Sequence, residues 1–240
     1  MTLERHDILG SHYGFSATRL DELGAAEYTL VTIVADKSGS VGGFAKEIER
    51  CIAEVARACR QSPRADNLLL RVTAFDNHVE EIHGFKPLSS VASDDYDGAV
   101  AIGGSTALHD AAHNAVASMK SYGKSLTAGD FEVNGIIVVI TDGADNASST
   151  QASDVADAVA AVRGEEALES LLTILVGVEV PGTVSTILAD FQKQAGFDRY
   201  LELGKADAKS LAKLADFVSR SIGAQSRALG TGQSGAPLVF

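Results

Sequence analysis

The run VTIVADKSGSV, residues 31–41, carries a hydrophobic stretch straight into Asp36, Ser38 and Ser40. One carboxylate and two hydroxyls at such a point suit a nucleophile, a phosphate cradle or a metal site, and the rest of the chain must decide among them. Two other short segments offer the same donors: Gly103-Gly104-Ser105-Thr106, and Thr141-Asp142-Gly143 at the end of GIIVVIT. Asp36, Ser38, Ser40, Thr106 and Asp142 are therefore the candidate site residues. Two carboxylates and three hydroxyls are hard oxygen donors. They suit Mg²⁺, Mn²⁺ or Ca²⁺ and lack the thiolate and imidazole donors that zinc usually takes.

Other chemistries fail on spacing. Tyr122-Gly123-Lys124-Ser125 ends like a P-loop, but Ser118 stands where the first glycine belongs, and the segment follows a helical pattern instead of opening one. Gly39 and Gly42 do not complete G-x-G-x-x-G, and Asp76 is too far on for the ribose acid. Ser38 lacks the flanking glycines of a nucleophile elbow, and Ser121-Tyr122-Gly123-Lys124 matches S-x-x-K in letters alone. In HDAAH, residues 109–113, Asp110 replaces the Glu of H-E-x-x-H and is one carbon shorter. His109 and His113 are expected to be exposed or capping. Lys37 is expected to be solvated.

The candidate residues need elements to hold them. Residues 28–35 form a short, mostly apolar run, consistent with a strand covered on both faces. Phe44, Ile48, Cys51, Ile52, Val55 and Cys59 then recur at helical spacing, ending before Pro63. LLLRVTAF (68–75) and VEEIHGF (79–85) read as strands joined tightly at Asp76-Asn77-His78. A polar connection spans 86–106. Leu108, Ala112, Ala115, Val116 and Met119 then mark a helix, and 135–141 is the purest strand signal. Helices near 151–163, 183–194 and 207–222 alternate with strands at 171–178 and near 199–203.

This alternation predicts an α/β, Rossmann-like sandwich. Its central sheet is mainly parallel, has one antiparallel edge strand and carries helices on both faces. Residues 1–26 read as an irregular N-terminal extension, 27–222 as the domain and 223–240 as a flexible tail. In open sheets of this kind, ligands gather beyond the carboxyl ends of the strands. All three donor segments fall at that end.

In this order and context, DKSGS, GGST and TDG resemble the metal-ion-dependent adhesion site of von Willebrand factor A (vWA) domains, with its D-x-S-x-S, Thr and Thr-Asp-Gly. The resemblance covers residues 27–222. It implies that Ser38 and Ser40 bind the metal directly and Thr106 directly or through water. Asp36 and Asp142 would hold coordinated waters or contact the metal. It also implies a cytosolic binding module or scaffold of the prokaryotic stand-alone type, engaging a partner Asp or Glu through the cation. Similar proteins work in stress and tellurite-resistance assemblies near ATPases or kinases. The alternative is a metal-dependent phosphoester hydrolase, and a third reading is a structural protein with no working site.

Composition narrows the partners. The 240 residues include 32 acids against 20 basic residues, a formal charge of -12 that disfavours nucleic acid and anionic membranes. No apolar run reaches the ~18 residues of a membrane span. Glu4, Arg5, His6 and Asp7 stand where a signal peptide needs an apolar stretch, so the cytoplasm is the expected compartment and the sequon-like Asn146-Ala147-Ser148 has no expected role. Cys51 and Cys59, eight residues apart in one helical pattern, would lie ~12 Å apart. That is beyond the roughly 7 Å that a disulfide bridges, so both are expected to be apolar filler.

Overall fold

The structure, a computed structural model, describes residues 2–8, 14–92, 94–165 and 167–228. Its strands are β1 Leu3–Asp7, β2 Gly14–Thr18, β3 Glu27–Asp36, β4 Leu68–Phe75, β5 Val79–Pro87, β6 Glu132–Thr141, β7 Leu171–Val178 and β8 Arg199–Leu203. They form one sheet in the order β1-β2-β5-β4-β3-β6-β7-β8. The helices are α1 Ala45–Arg60, α2 Leu108–Ala128, α3 Ala152–Gly164, α4 Gly182–Gln194 and α5 Ala208–Ala228. Strands β4, β3, β6, β7 and β8 run parallel. The α/β sandwich expected from the alternation is the observed fold.

Helices α1 and α5 cover one face of the sheet, and α2, α3 and α4 cover the other. Every residue of β4 is buried, which is why the central runs show so little polar alternation. Cys51 and Cys59 are buried, free thiols on α1, and burial pushes both up to about 12, so they are inert filler as expected. Among the described residues no helix is long and apolar enough to cross a membrane.

Three expectations need correction. The expected irregular extension, 1–26, holds two strands of the sheet among its described residues: β1 and β2 pair antiparallel, and β2 joins β5 in parallel through Ala17 and Phe85. Strand β5 is antiparallel to β4 as expected, but it is not the edge of the sheet. The hairpin is held by a few large contacts instead of a long pattern. Phe15 and Ala17 enter the core beneath α2, and His6 stacks on Phe15 with centroids 4.9 Å apart. Gly84 permits the close approach, since a Cβ there would lie 2.0 Å from the Ser16 carbonyl oxygen.

The second correction concerns the C-terminal boundary. Helix α5 runs on past 222 to Ala228, with Gln225 and Ser226 buried, and the Asn134 amide donates to the Gln225 carbonyl at 2.5 Å. The remainder of the expected tail, 229–240, lies outside the described residues. Third, the connection before α2 is not simply polar, because Leu88, Val91, Tyr96 and Val100 pack into the core beside α1.

A basic group sits inside this frame. Arg71 on β4 is 1% exposed. Its Nε donates to Glu81 Oε2 at 2.7 Å, Nη1 to Ser118 Oγ at 3.0 Å and Nη2 to Asn114 Oδ1 at 3.0 Å. Glu81 in turn accepts the Ser16 backbone N–H and hydroxyl. Strands β2, β4 and β5 and helix α2 thus meet at one guanidinium.

Candidate functional site

Strand β3 lies between β4 and β6, and the chain leaves it for α1 on one face while α2 precedes β6 on the other. The carboxyl ends of β3 and β6 therefore open onto a point where the strand order reverses, the usual position of a ligand crevice. Asp36 ends β3, and Thr141 ends β6 with Asp142 next.

Backbone bonds lace the loops together. Lys37 N–H donates to the Phe75 carbonyl at 2.7 Å, Gly103 N–H to the Lys37 carbonyl at 2.9 Å and Gly39 N–H to the Gly104 carbonyl at 3.2 Å. Gly104 has φ +68°, and a Cβ there would sit 2.2 Å from Asn77 Oδ1, so this turn requires glycine. Ala107 N–H reaches the Asp76 carbonyl at 2.8 Å. The loop after β4 thus supports the one carrying Thr106.

The sequence-predicted site residues converge on this crevice. Ser38 and Ser40 hydroxyl oxygens lie 3.2 Å apart, and Ser40 Oγ donates to Asp142 Oδ1 at 2.7 Å. A Cβ built on Gly143 would be 3.4 Å from Thr106 Oγ1 and 4.0 Å from Ser40 Oγ. Hydroxyls from separate loops thus face one small space that any side chain at 143 would fill. Asp36 lies behind them, fully buried, with Oδ1 accepting Ser38 N–H at 2.8 Å and Oδ2 accepting the Thr141 hydroxyl at 2.6 Å.

Burial pushes the Asp36 carboxyl up to about 6, opposed by the Thr141 and Ser38 hydrogen bonds and assisted by the nearby Asp142 charge. Burial also raises Asp142, with Ser40 opposing it and Glu179 adding repulsion. The main groups acting on these two acids are hydroxyls, backbone N–H groups and other carboxylates, and among the described residues no ion pair joins either acid to a basic side chain. Oxygen donors around uncompensated carboxylates fit a divalent cation. Among the described residues no group of three or more His, Cys, Asp or Glu could hold a metal, so any site here depends on its hydroxyls.

Sequence reasoning missed several participants. Lys37 is not solvated: its side chain is 12% exposed and pairs with Glu80 at 2.6 Å. His109 is not exposed: it stacks on Phe191 with centroids 4.7 Å apart and its Nδ1 meets the Thr150 carbonyl at 3.2 Å. Asn146, set aside with its sequon, accepts Thr106 N–H through Oδ1 at 2.8 Å and donates its own N–H to the Thr106 carbonyl at 2.9 Å. A signal was present, in the mostly polar run ADNASST directly after TDG.

No known family model and no curated protein matches this chain in sequence. Solved structures do match its fold. The PilB minor pilin from Streptococcus sanguinis superposes with a TM-score of 0.59 at 12% identity, over 85% of this chain and 64% of that one, for its D319A mutant. Proximal thread matrix protein 1 (PTMP1) from the mussel byssus, in a structure with a zinc-occupied MIDAS motif, gives 0.52 at 17% identity, over 82% and 46%. The shared feature is the fold. The pilus adhesin SpaC from Lactobacillus rhamnosus GG gives 0.59 at 8% identity, over 84% and 30%. This chain therefore spans less than two thirds of each of these proteins.

Proposed function

We propose that this chain is a divalent-cation-dependent protein-binding module of the vWA type. The observation that carries the reading is the convergence of the Ser40 and Thr106 hydroxyls on the space at Gly143, with Ser38 beside Ser40. Ser38, Ser40 and Thr106 would hold the cation, with Asp36 and Asp142 taking its waters or contacting it. The metal would supply a positive centre for a carboxylate from a partner. Neutral hydroxyl donors leave that charge largely uncancelled, so an acidic side chain is attracted although the whole chain carries -12. Long-range repulsion is screened beyond about 8 Å at physiological salt.

Binding is favoured over hydrolysis in that His109 on neighbouring α2 is held against Phe191 and brings no imidazole base to the hydroxyls, so a hydrolase would have to use Asp36 or Asp142, which the binding reading assigns to the cation. Ile102, among the few exposed large hydrophobics described, lies on the Thr106 loop and suits contact with a protein surface. A cytoplasmic scaffold near an ATPase or kinase is the setting that the sequence resemblance favours.

The test is calorimetric titration with Mg²⁺, Mn²⁺, Ca²⁺ and Zn²⁺. Zinc is included because the mussel protein holds it in its own motif. One of these ions should bind wild type and bind Ser40→Ala much more weakly. A peptide bearing Asp or Glu should then bind only with the metal present. Metal-dependent phosphatase activity, or equal metal binding by Ser40→Ala, would count against the proposal.

A further inference from the structure

Helix α2 begins beside the candidate site without a cap of its own. Ala107 stands at its N-cap and offers no side-chain acceptor, so the first N–H groups of the helix need partners from elsewhere. Those partners come from the loop after β6. Asp145 Oδ1 accepts His109 N–H at 3.2 Å, and Ser148 Oγ accepts Asp110 N–H at 3.0 Å. The exchange is mutual: the buried Asp110 carboxylate accepts Ser149 N–H at 3.1 Å and Thr150 N–H at 2.9 Å. Two segments nearly 40 residues apart in sequence are stitched along their length.

Asn146 is the stitch nearest the site. It takes both peptide groups of Thr106, the N–H through its side chain and the carbonyl through its backbone, and Ala147 N–H adds a second bond to that carbonyl at 3.2 Å. With its peptide groups held on both sides, Thr106 has little freedom to swing its hydroxyl away from Gly143. The Asn146 residue itself is exposed, so its side chain contributes little to the core.

We infer that the 145–150 loop is the cap of α2 supplied from a distance and that Asn146 is a positioning residue, setting the Thr106 hydroxyl for the cation. The inference rests on the proposed metal site for its functional consequence, whereas the geometric claim stands on its own. Outer partners that orient ligands typically change metal affinity 10–100-fold when removed. A carboxylate at 146 retains the acceptor that Thr106 N–H requires, so Asn146→Asp should behave differently from Asn146→Ala.

The experiment uses the full chain as wild type, Asn146→Ala, Asn146→Asp and Ser40→Ala. Amide exchange at Thr106 is measured without metal, Mn²⁺ affinity by titration, and stability by urea. Asn146→Ala should speed Thr106 exchange and weaken Mn²⁺ about tenfold or more while keeping a urea midpoint near wild type. Asn146→Asp should restore both. Unchanged Thr106 exchange in Asn146→Ala would overturn the inference, as would an affinity loss that merely follows stability and is not restored by Asp. If wild type takes up no Mn²⁺ and Ser40→Ala changes nothing, the metal reading fails, while the exchange comparison still decides the positioning claim.

Discussion

Replacing Arg71 with Met removes the one guanidinium that joins β2, β4, β5 and α2. The methionine fills much of the space, so the cost lies in what remains. Glu81 keeps its charge without the partner 2.7 Å away, and Asn114, 2% exposed, loses a donor. Ser118 retains its bond to the Ala115 carbonyl at 3.1 Å and adds little. Breaking a buried pair by deleting one member costs about 3–5 kcal/mol. The Glu81 side chain is 22% exposed and can recover some water, which places Arg71→Met near the lower end, at about 3 kcal/mol. For a chain of this length that is a fall of about 6–12 °C in melting temperature. Arg71→Met/Glu81→Gln should recover about 1 kcal/mol or more, because Gln still accepts from Ser16 but leaves no unpaired charge. Urea denaturation of the three proteins measures both quantities. A single mutant within 1 kcal/mol of wild type, or a double mutant no better than the single, would refute the reasoning.

The cation should also raise stability, since it joins loops that meet only in the folded chain. At 100 times its dissociation constant it adds about 2.7 kcal/mol, visible as a melting shift that Asp36→Ala abolishes. His83 gives a pH dependence. Burial chiefly, with the Gly84 carbonyl opposing, holds its imidazole down to about 4, below the ordinary 6.5. The unfolded chain therefore takes the proton first. The His83 contribution is intact above about pH 6.5 and falls by up to about 3 kcal/mol as pH drops toward 4, whereas Asp36, raised to about 6, takes its proton first in the folded chain and adds stability in that window; the stability of His83→Phe relative to wild type should therefore rise between pH 7 and pH 4.5 in urea titrations. Deleting residues 224–240 should lower the melting temperature, because Asn134 loses the Gln225 carbonyl and a buried unpaired amide costs about 1–3 kcal/mol. Unchanged melting would show that the last turns of α5 do not secure the sheet.

The central strands were legible because β3, β4, β6 and β7 are covered on both faces and are mostly apolar despite Arg71 on β4. That Asp36, Ser38, Ser40, Thr106 and Asp142 line one crevice was legible because Asp36 closes β3, Ser38 and Ser40 follow it, Asp142 follows β6 and Thr106 lies just before α2, where position in sequence nearly determines position in space. The N-terminal hairpin was not. Strands of five residues with Glu4, Arg5, Asp7 and Ser16 show no usable period, and their attachment depends on Gly84 and Glu81, some 65 residues away. The end of α5 was obscured by its polar residues, since Gln225 and Ser226 are buried without being apolar. Lys37 was misread for a similar reason, because its partner Glu80 belongs to a different strand. The cap of α2 left no local trace, since Ala107 gives no hint that Asp145 and Ser148 will serve it.

That distant cap has a consequence for the order of events during synthesis. Thr106 is made well before the residue that secures it, and Asn146 follows 40 positions later (146 − 106). At about 5–20 residues per second, the interval is roughly 2–8 s. Throughout that time the start of α2 lacks its acceptors and the three hydroxyls have no common frame. A nascent chain that has not yet completed β6 and its exit loop therefore cannot hold Thr106 against Asn146, however well its first strands have paired. Under the proposed function, cation binding would wait until the 145–150 loop has been made, a delay set by the connectivity of the chain alone.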